Sequence, residues 1–145
     1  MNVAGPEFID VDGAKIALHH RAGSKSPGVV WLGGYRSDML GTKAVVLDEW
    51  AAETGHSALR HDYSGHGSSG GDFNQGTISR WLNESLAVYR KYAKGPQILV
   101  GSSMGGWIAL RMAQDRRIWW QFHLFSVPML AWAALSGWLL WLLLG

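Results

Sequence analysis

Residues 97–107 read Gln-Ile-Leu-Val-Gly-Ser-Ser-Met-Gly-Gly-Trp, and the two halves of this stretch follow different periods. Gln97 to Gly101 is a short continuous apolar run, the pattern of a strand buried on both faces. From Met104 to about Gln114 the apolar residues return at helical spacing. Between them lies Gly101-Ser102-Ser103-Met104-Gly105, a Gly-x-Ser-x-Gly pattern. Five such residues alone are a weak signal; entered by a strand and left by a helix, they are a strong one. So tight a turn excludes side chains at its flanks and points the Ser103 hydroxyl outward at the carboxyl edge of a sheet. It also places Ser103 at a helix N-terminus, where unpaired amides and the helix dipole favour negative charge. Ser103 is the candidate nucleophile.

Upstream, Glu7 to Val11, Asp12-Gly13 and Lys15 to Ala22 read as a two-strand hairpin, Asp-Gly being the preferred tight turn. Gly23 to Gly28 reads as turn chemistry before a buried strand, Val29 to Leu32, that ends in the loop Gly33-Gly34-Tyr35-Arg36-Ser37. Thr42 is the expected N-cap of a helix through about Thr54, with Ala44, Val45, Leu47 and Trp50 as its apolar stripe and Gly55 as its stop. Ser57 to Tyr63 is the next strand and residues 64–76 a glycine-rich loop. Ile78 to about Ala93 is a second helix, carrying Trp81, Leu82, Leu86 and Tyr89 and closed by Gly95-Pro96. Helices alternating with strands after a leading hairpin imply an α/β sheet, parallel in its later strands.

Attack of a hydroxyl on a carbonyl builds an oxyanion that needs donors. The Met104 amide, next after the nucleophile, is one. The second should come from the loop after a neighbouring strand, and there the Tyr35 amide is the candidate.

Three segments in order, Leu32-Gly33-Gly34-Tyr35, Asp62-Tyr63-Ser64-Gly65-His66-Gly67-Ser68-Ser69 and Gly101-Ser102-Ser103-Met104-Gly105-Gly106, resemble the oxyanion loop, Asp-x-x-Gly-x-Gly-x-Ser turn and nucleophile elbow of the α/β-hydrolase superfamily. Within it, residues 29–114 are most similar to the palmitoyl-protein thioesterase and acyl-glucuronide esterase branch. The runs Tyr35–Lys43, His61–Ser69 and Pro96–Trp107 carry that likeness, which covers about residues 7–115. The resemblance implies the N-terminal part of an α/β-hydrolase fold. It also implies Ser103 as nucleophile, Tyr35 and Met104 as oxyanion amides, and cleavage of a small acyl ester or thioester without metal or cofactor. Met39 and Trp107 are near enough to line the pocket, although helical spacing places Trp107 in the core.

The remaining partners of such a serine are an acidic residue and then a histidine, in that order. Only Asp115 and His123 offer it. On a continuing helix they lie about 18 Å and 30 Å beyond Ser103, whereas a general base works within roughly 3 Å. His66 belongs to the turn and is separated from the nucleophile strand by the Val29–Leu32 strand, about 10 Å for two strand spacings. His19, His20, His56 and His61 have no metal-site spacing. Gly65-His66-Gly67-Ser68-Ser69-Gly70 matches the dinucleotide fingerprint, but no helix opens until about Ile78, so no phosphate site is expected there.

The chain has 145 residues, 48% hydrophobic and 17% charged, which excludes a disordered chain. A net charge of +2 without a basic run makes no case for nucleic acid, and zero Cys removes thiolate chemistry and disulfides. All thirteen Lys+Arg and eleven Asp+Glu lie within residues 1–117. The division expected is therefore a partial hydrolase domain over 1–115 and an apolar Trp- and Leu-rich tail over 116–145. Residues 122–144 would span about 34 Å as a helix, enough for a bilayer core of roughly 30 Å, with Arg116-Arg117 on the cytoplasmic side. Two readings of the tail compete: a membrane anchor, or aberrant translation after a hydrolase sequence that stops near Gln114. The opening residues lack a signal-peptide pattern, so a cytoplasmic location is expected, membrane-associated through 122–144.

Overall fold

Asp12 and Gly13 both take positive φ, 48° and 80°, so the chain opens with the tight hairpin that Asp-Gly predicts. The computed structural model describes residues 5–115. Its first strands, β1 (Glu7–Val11) and β2 (Ala14–Arg21), pair antiparallel with Ile9 opposite Ile16. Then come β3 (Lys25–Leu32), α1 (Thr42–Thr54), β4 (His56–His61), a 3-10 turn (Phe73–Gln75), α2 (Ile78–Tyr92), β5 (Gln97–Gly101) and α3 (Met104–Ala113). Among the described residues the sheet runs β1-β2-β4-β3-β5. β3 lies parallel to both β4 and β5, while β2 meets β4 antiparallel.

The helices divide between the faces. Ile16, Leu18, Val30, Leu32, Leu59 and Leu99 pack against Trp81, Leu86 and Tyr89 of α2 and Ile108 and Met112 of α3. On the other face Val29 and Ala58 meet Ala51 and Leu47 of α1. Apolar residues on both faces of β3 are what its continuous hydrophobic run requires.

Several local expectations are corrected. β3 begins at Lys25, within the supposed turn of residues 23–28, because Lys25 pairs with His56 across the sheet. Gly41, not Thr42, is the N-cap of α1, and no side chain caps that end. Trp50 is 42% exposed, stacked on His56 at 5.1 Å, while Asp48 turns inward. Arg21 grips the Asp48 carboxylate through two bonds of 3.1 and 2.7 Å, and Arg60 lies 3.5 Å away. Burial raises the Asp48 pKa, but the Arg21 hydrogen bond and the Arg60 and Arg21 charges outweigh it, so the carboxyl titrates below its usual range. Trp107 is 62% exposed rather than in the core, since Ile108, Ala109 and Met112 take the sheet-facing positions of α3. The apolar C-terminal helix and the tail division at 116–145 lie outside the described residues.

Candidate active site

Register brings three loops to one edge of the sheet. Leu32 lies opposite Gly101, and Trp31 is opposite Arg60, so the loops leaving β3, β4 and β5 meet at the carboxyl ends of the parallel strands. That edge is where open α/β sheets bind ligands.

Ser103 stands at the turn from β5 into α3 with φ 53° and ψ −117°, a conformation L residues rarely adopt. Holding it costs about 1–3 kcal/mol, which the surrounding packing must offset. The packing is close: a side chain on Gly105 would collide with Leu32 O and Gly33 O, and one on Gly101 with the Gly105 backbone. Both flanking glycines are thus required by close approach. Ser103 is exposed and its hydroxyl caps nothing, although the residue occupies the N-cap of α3.

The loop after β3 leans on this turn. A side chain on Gly34 would stand 3.7 Å from Ser103 Cβ and 3.2 Å from Ser102 O. Ser37 N–H donates to Gly34 O at 3.2 Å and Ser37 Oγ–H to the same oxygen at 2.8 Å, closing a tight turn over Tyr35 and Arg36. No hydrogen bond occupies the Tyr35 or Met104 amide among the described residues. These two amides therefore remain available as donors.

Residues from the end of β4 fasten the same loop. Tyr63 Oη–H donates to Gly33 O at 3.0 Å, and Arg60 Nη1–H to Met39 O at 2.7 Å. Arg36 N–H reaches His66 Nε2 at 3.3 Å, and Met39 N–H donates to Asp62 Oδ1 at 2.6 Å. Asp62 Oδ2 accepts Ser68 N–H at 2.8 Å, tying the glycine-rich segment back on itself. Burial pushes the Asp62 carboxyl pKa up, and the Ser68 and Met39 N–H bonds only partly oppose this. Sequence reading assigned residues 62–69 to a turn and did not see this latch. Met39, expected near a pocket, is buried instead.

Neither of the two buried histidines nearest this edge, His66 and His61, is free to act as a base on Ser103. His66 is 4% exposed with both nitrogens engaged, since its Nδ1–H donates to Ser64 O at 3.1 Å. His61 is fully buried; its Nε2–H donates to Ser85 Oγ at 3.0 Å, and burial drives its pKa down to about 4. Asp115 forms an ion pair with Arg90 at 2.9 Å, and His123 lies outside the described residues. In the Gly65–Gly70 segment the chain passes into the 3-10 turn before α2 begins at Ile78, so no helix N-terminus opens there for a phosphate.

Beside Met104 opens a cleft of about 470 Å³ whose lining includes Tyr35, Phe73, Ile78, Trp81 and Met104 together with the polar Asn74 and Thr77. Tyr35 meets Phe73 edge-on at 5.1 Å and Trp81 at 6.4 Å, so one wall is an aromatic cluster.

Residues 28–144 match the family model described as serine aminopeptidase, S33. The chain belongs to this family of α/β hydrolases. Over 92 residues it is 47% identical to the human protein named palmitoyl-protein thioesterase ABHD10, mitochondrial, which covers 63% of this chain and 30% of that protein. The solved mouse structure titled alpha/beta hydrolase domain-containing protein 10 superposes with a TM-score of 0.75 at 38% identity, covering 82% of this chain and 47% of that one. A separate likeness of 61% identity over 46 residues joins the chain to the Escherichia coli (strain K12) inner membrane protein YbiR, covering 32% of this chain and 12% of that protein. The chain thus spans about a third of the length of the thioesterase relatives it matches. Among the described residues no helix is long and apolar enough to cross a membrane.

Proposed function

We propose that Ser103 is the nucleophile of a serine hydrolase acting on acyl esters or thioesters through an acyl-enzyme. Its hydroxyl attacks the acyl carbonyl, the Tyr35 and Met104 amides receive the developing oxyanion, the alcohol or thiol leaves, and water releases the acid. The observation that carries this reading is the exposed Ser103 at φ 53°, pressed against Gly34 with two unpaired amides beside it. The aromatic cleft next to Met104 suits an apolar acyl chain, and the relatives named palmitoyl-protein thioesterase favour a thioester.

A second reading, an acyl-binding chain without turnover, is favoured by the engagement of both His66 nitrogens. A triad serine lacking its base keeps only about 10³–10⁴ of rate enhancement over water. Mass spectrometry of the full chain after treatment with a fluorophosphonate separates the outcomes. An adduct on Ser103 above a Ser103→Ala control supports the nucleophile; no adduct on folded protein overturns it. An activated thioester then distinguishes a single stoichiometric burst from repeated turnover.

For residues 122–144, we propose association with membranes. Their 23 residues contain no Asp, Glu, Lys or Arg, and one relative is named an inner membrane protein. Co-flotation with liposomes that survives a carbonate wash supports this; recovery of soluble monomer without detergent contradicts it.

A further inference from the structure

Arg36 is a non-glycine residue at φ 56°, third in the four-residue turn Gly34–Ser37. In a type II turn this position belongs to glycine, because the peptide between the second and third residues is turned over. The Arg36 guanidinium lies 4.9 Å over the Phe73 ring, a contact that anchors the side chain but leaves the turned-over peptide to be held by its own partner. Its N–H, which belongs to the turned-over peptide, donates to His66 Nε2 at 3.3 Å. From this geometry we infer that His66 is a positioning residue: its unprotonated Nε2 holds the Tyr35–Arg36 turn in place over Ser103. The consequence for catalysis rests on the nucleophile reading above, while the hold on the turn does not.

The imidazole is built to present an acceptor at that spot. Its Nδ1–H is committed to Ser64 O at 3.1 Å, which leaves Nε2 as the acceptor. Ser64 is itself fixed, its N–H donating to Glu84 Oε2 at 2.9 Å and its O accepting Trp81 Nε1–H at 3.1 Å. The ring is enclosed by Tyr63, Phe73 and Trp81, with centroids at 5.5, 5.0 and 5.1 Å. One tautomer and one orientation result. Tyr35, on the same turn, then carries its amide at a set angle beside Gly34 and Ser103.

The test uses the full chain in mild detergent, with two readouts: hydrogen exchange of the Arg36 amide by NMR, and fluorophosphonate labelling of Ser103 against reagent concentration. His66→Phe keeps an aromatic ring in the cluster and removes the acceptor. Arg36 exchange should rise about tenfold, the worth of one net hydrogen bond. Labelling at saturating reagent should slow by a similar factor with half-saturation unchanged, because the oxyanion donors act in the transition state. His66→Gln, whose side-chain carbonyl can accept, should restore most of both. Arg36→Gly, which accepts positive φ freely, should shrink the effect of His66→Phe. Unchanged Arg36 exchange in His66→Phe overturns the inference. Faster exchange of core amides such as Val30 and Leu99 in equal proportion also overturns it, since His66 would then be packing alone. If wild type labels no more than Ser103→Ala while the Arg36 effect persists, the hold on the turn is supported and the nucleophile reading fails.

Discussion

Acid should destabilise this protein through His61. The imidazole is fully buried at the end of β4, edge-on to the Tyr63 ring at 5.1 Å, with Nδ1 unpartnered and Nε2–H given to Ser85. Burial lowers its pKa from 6.5 to about 4. Between these values the unfolded chain takes up a proton that the folded one refuses, so stability falls as pH drops below 6.5 and levels off near 4. The gap limits the loss to about 3 kcal/mol, of which about 2 should appear between pH 7 and pH 5. For a marginally stable domain that is a large share. The perturbation is His61→Gln, which keeps a donor for Ser85 and does not titrate. Urea unfolding of both proteins, followed by tryptophan fluorescence in the same detergent, gives the difference in pH slope and cancels every other titrating group. The wild type should lose about 2 kcal/mol more than the variant over that interval. Equal slopes would refute the reasoning, and would mean that acid opens the β4–α2 contact without cost.

Three further substitutions probe the rest. Gly105→Ala drives a methyl into Leu32 O and Gly33 O, so thermal denaturation should show a loss of about 1–3 kcal/mol, with Ser103 labelling abolished. Asp62→Asn replaces an acceptor that serves both Met39 N–H and Ser68 N–H. One of these must lose its partner, costing about 1–3 kcal/mol by urea titration, and faster proteolysis within residues 33–41 should accompany it. Trp107→Ala, at a site 62% exposed, should change stability by less than about 0.5 kcal/mol; a loss of 3 kcal/mol or more would restore its placement in the core.

What could be read in the sequence was local. Asp12-Gly13 announces its hairpin because two adjacent residues determine the turn, and Gly101 to Gly105 announces the strand–turn–helix at Ser103 because strand, glycines and helix are contiguous. Ser103 and Met104 could be named as candidates on that basis and Tyr35 from the glycine loop after the Val29–Leu32 strand; Leu32 lies opposite Gly101 and Gly34 packs beside Ser103, so both loops leave the same sheet edge. The latch could not be read. Arg60, Asp62, Tyr63 and His66 reach Gly33, Arg36 and Met39 across 21 to 30 residues, and such pairings leave no period in the chain. Hydropathy turns Trp50 inward on α1, but the buried face is that of Ala44, Asp48 and Ala51, and only the converging Arg21 and Arg60 explain why an acid lies on it. Lys25 joins β3 because His56 is there to pair with it.

The decisive measurement is the amide spectrum of the chain before and after a fluorophosphonate reacts with Ser103. The phosphonyl oxygen then stands where the oxyanion would form. Tyr35 and Met104 amide protons should both move strongly downfield, with little change at Gly95 on the opposite edge of the sheet. An adduct that leaves those two amides unmoved, or forms on another residue, would contradict the arrangement described for this edge.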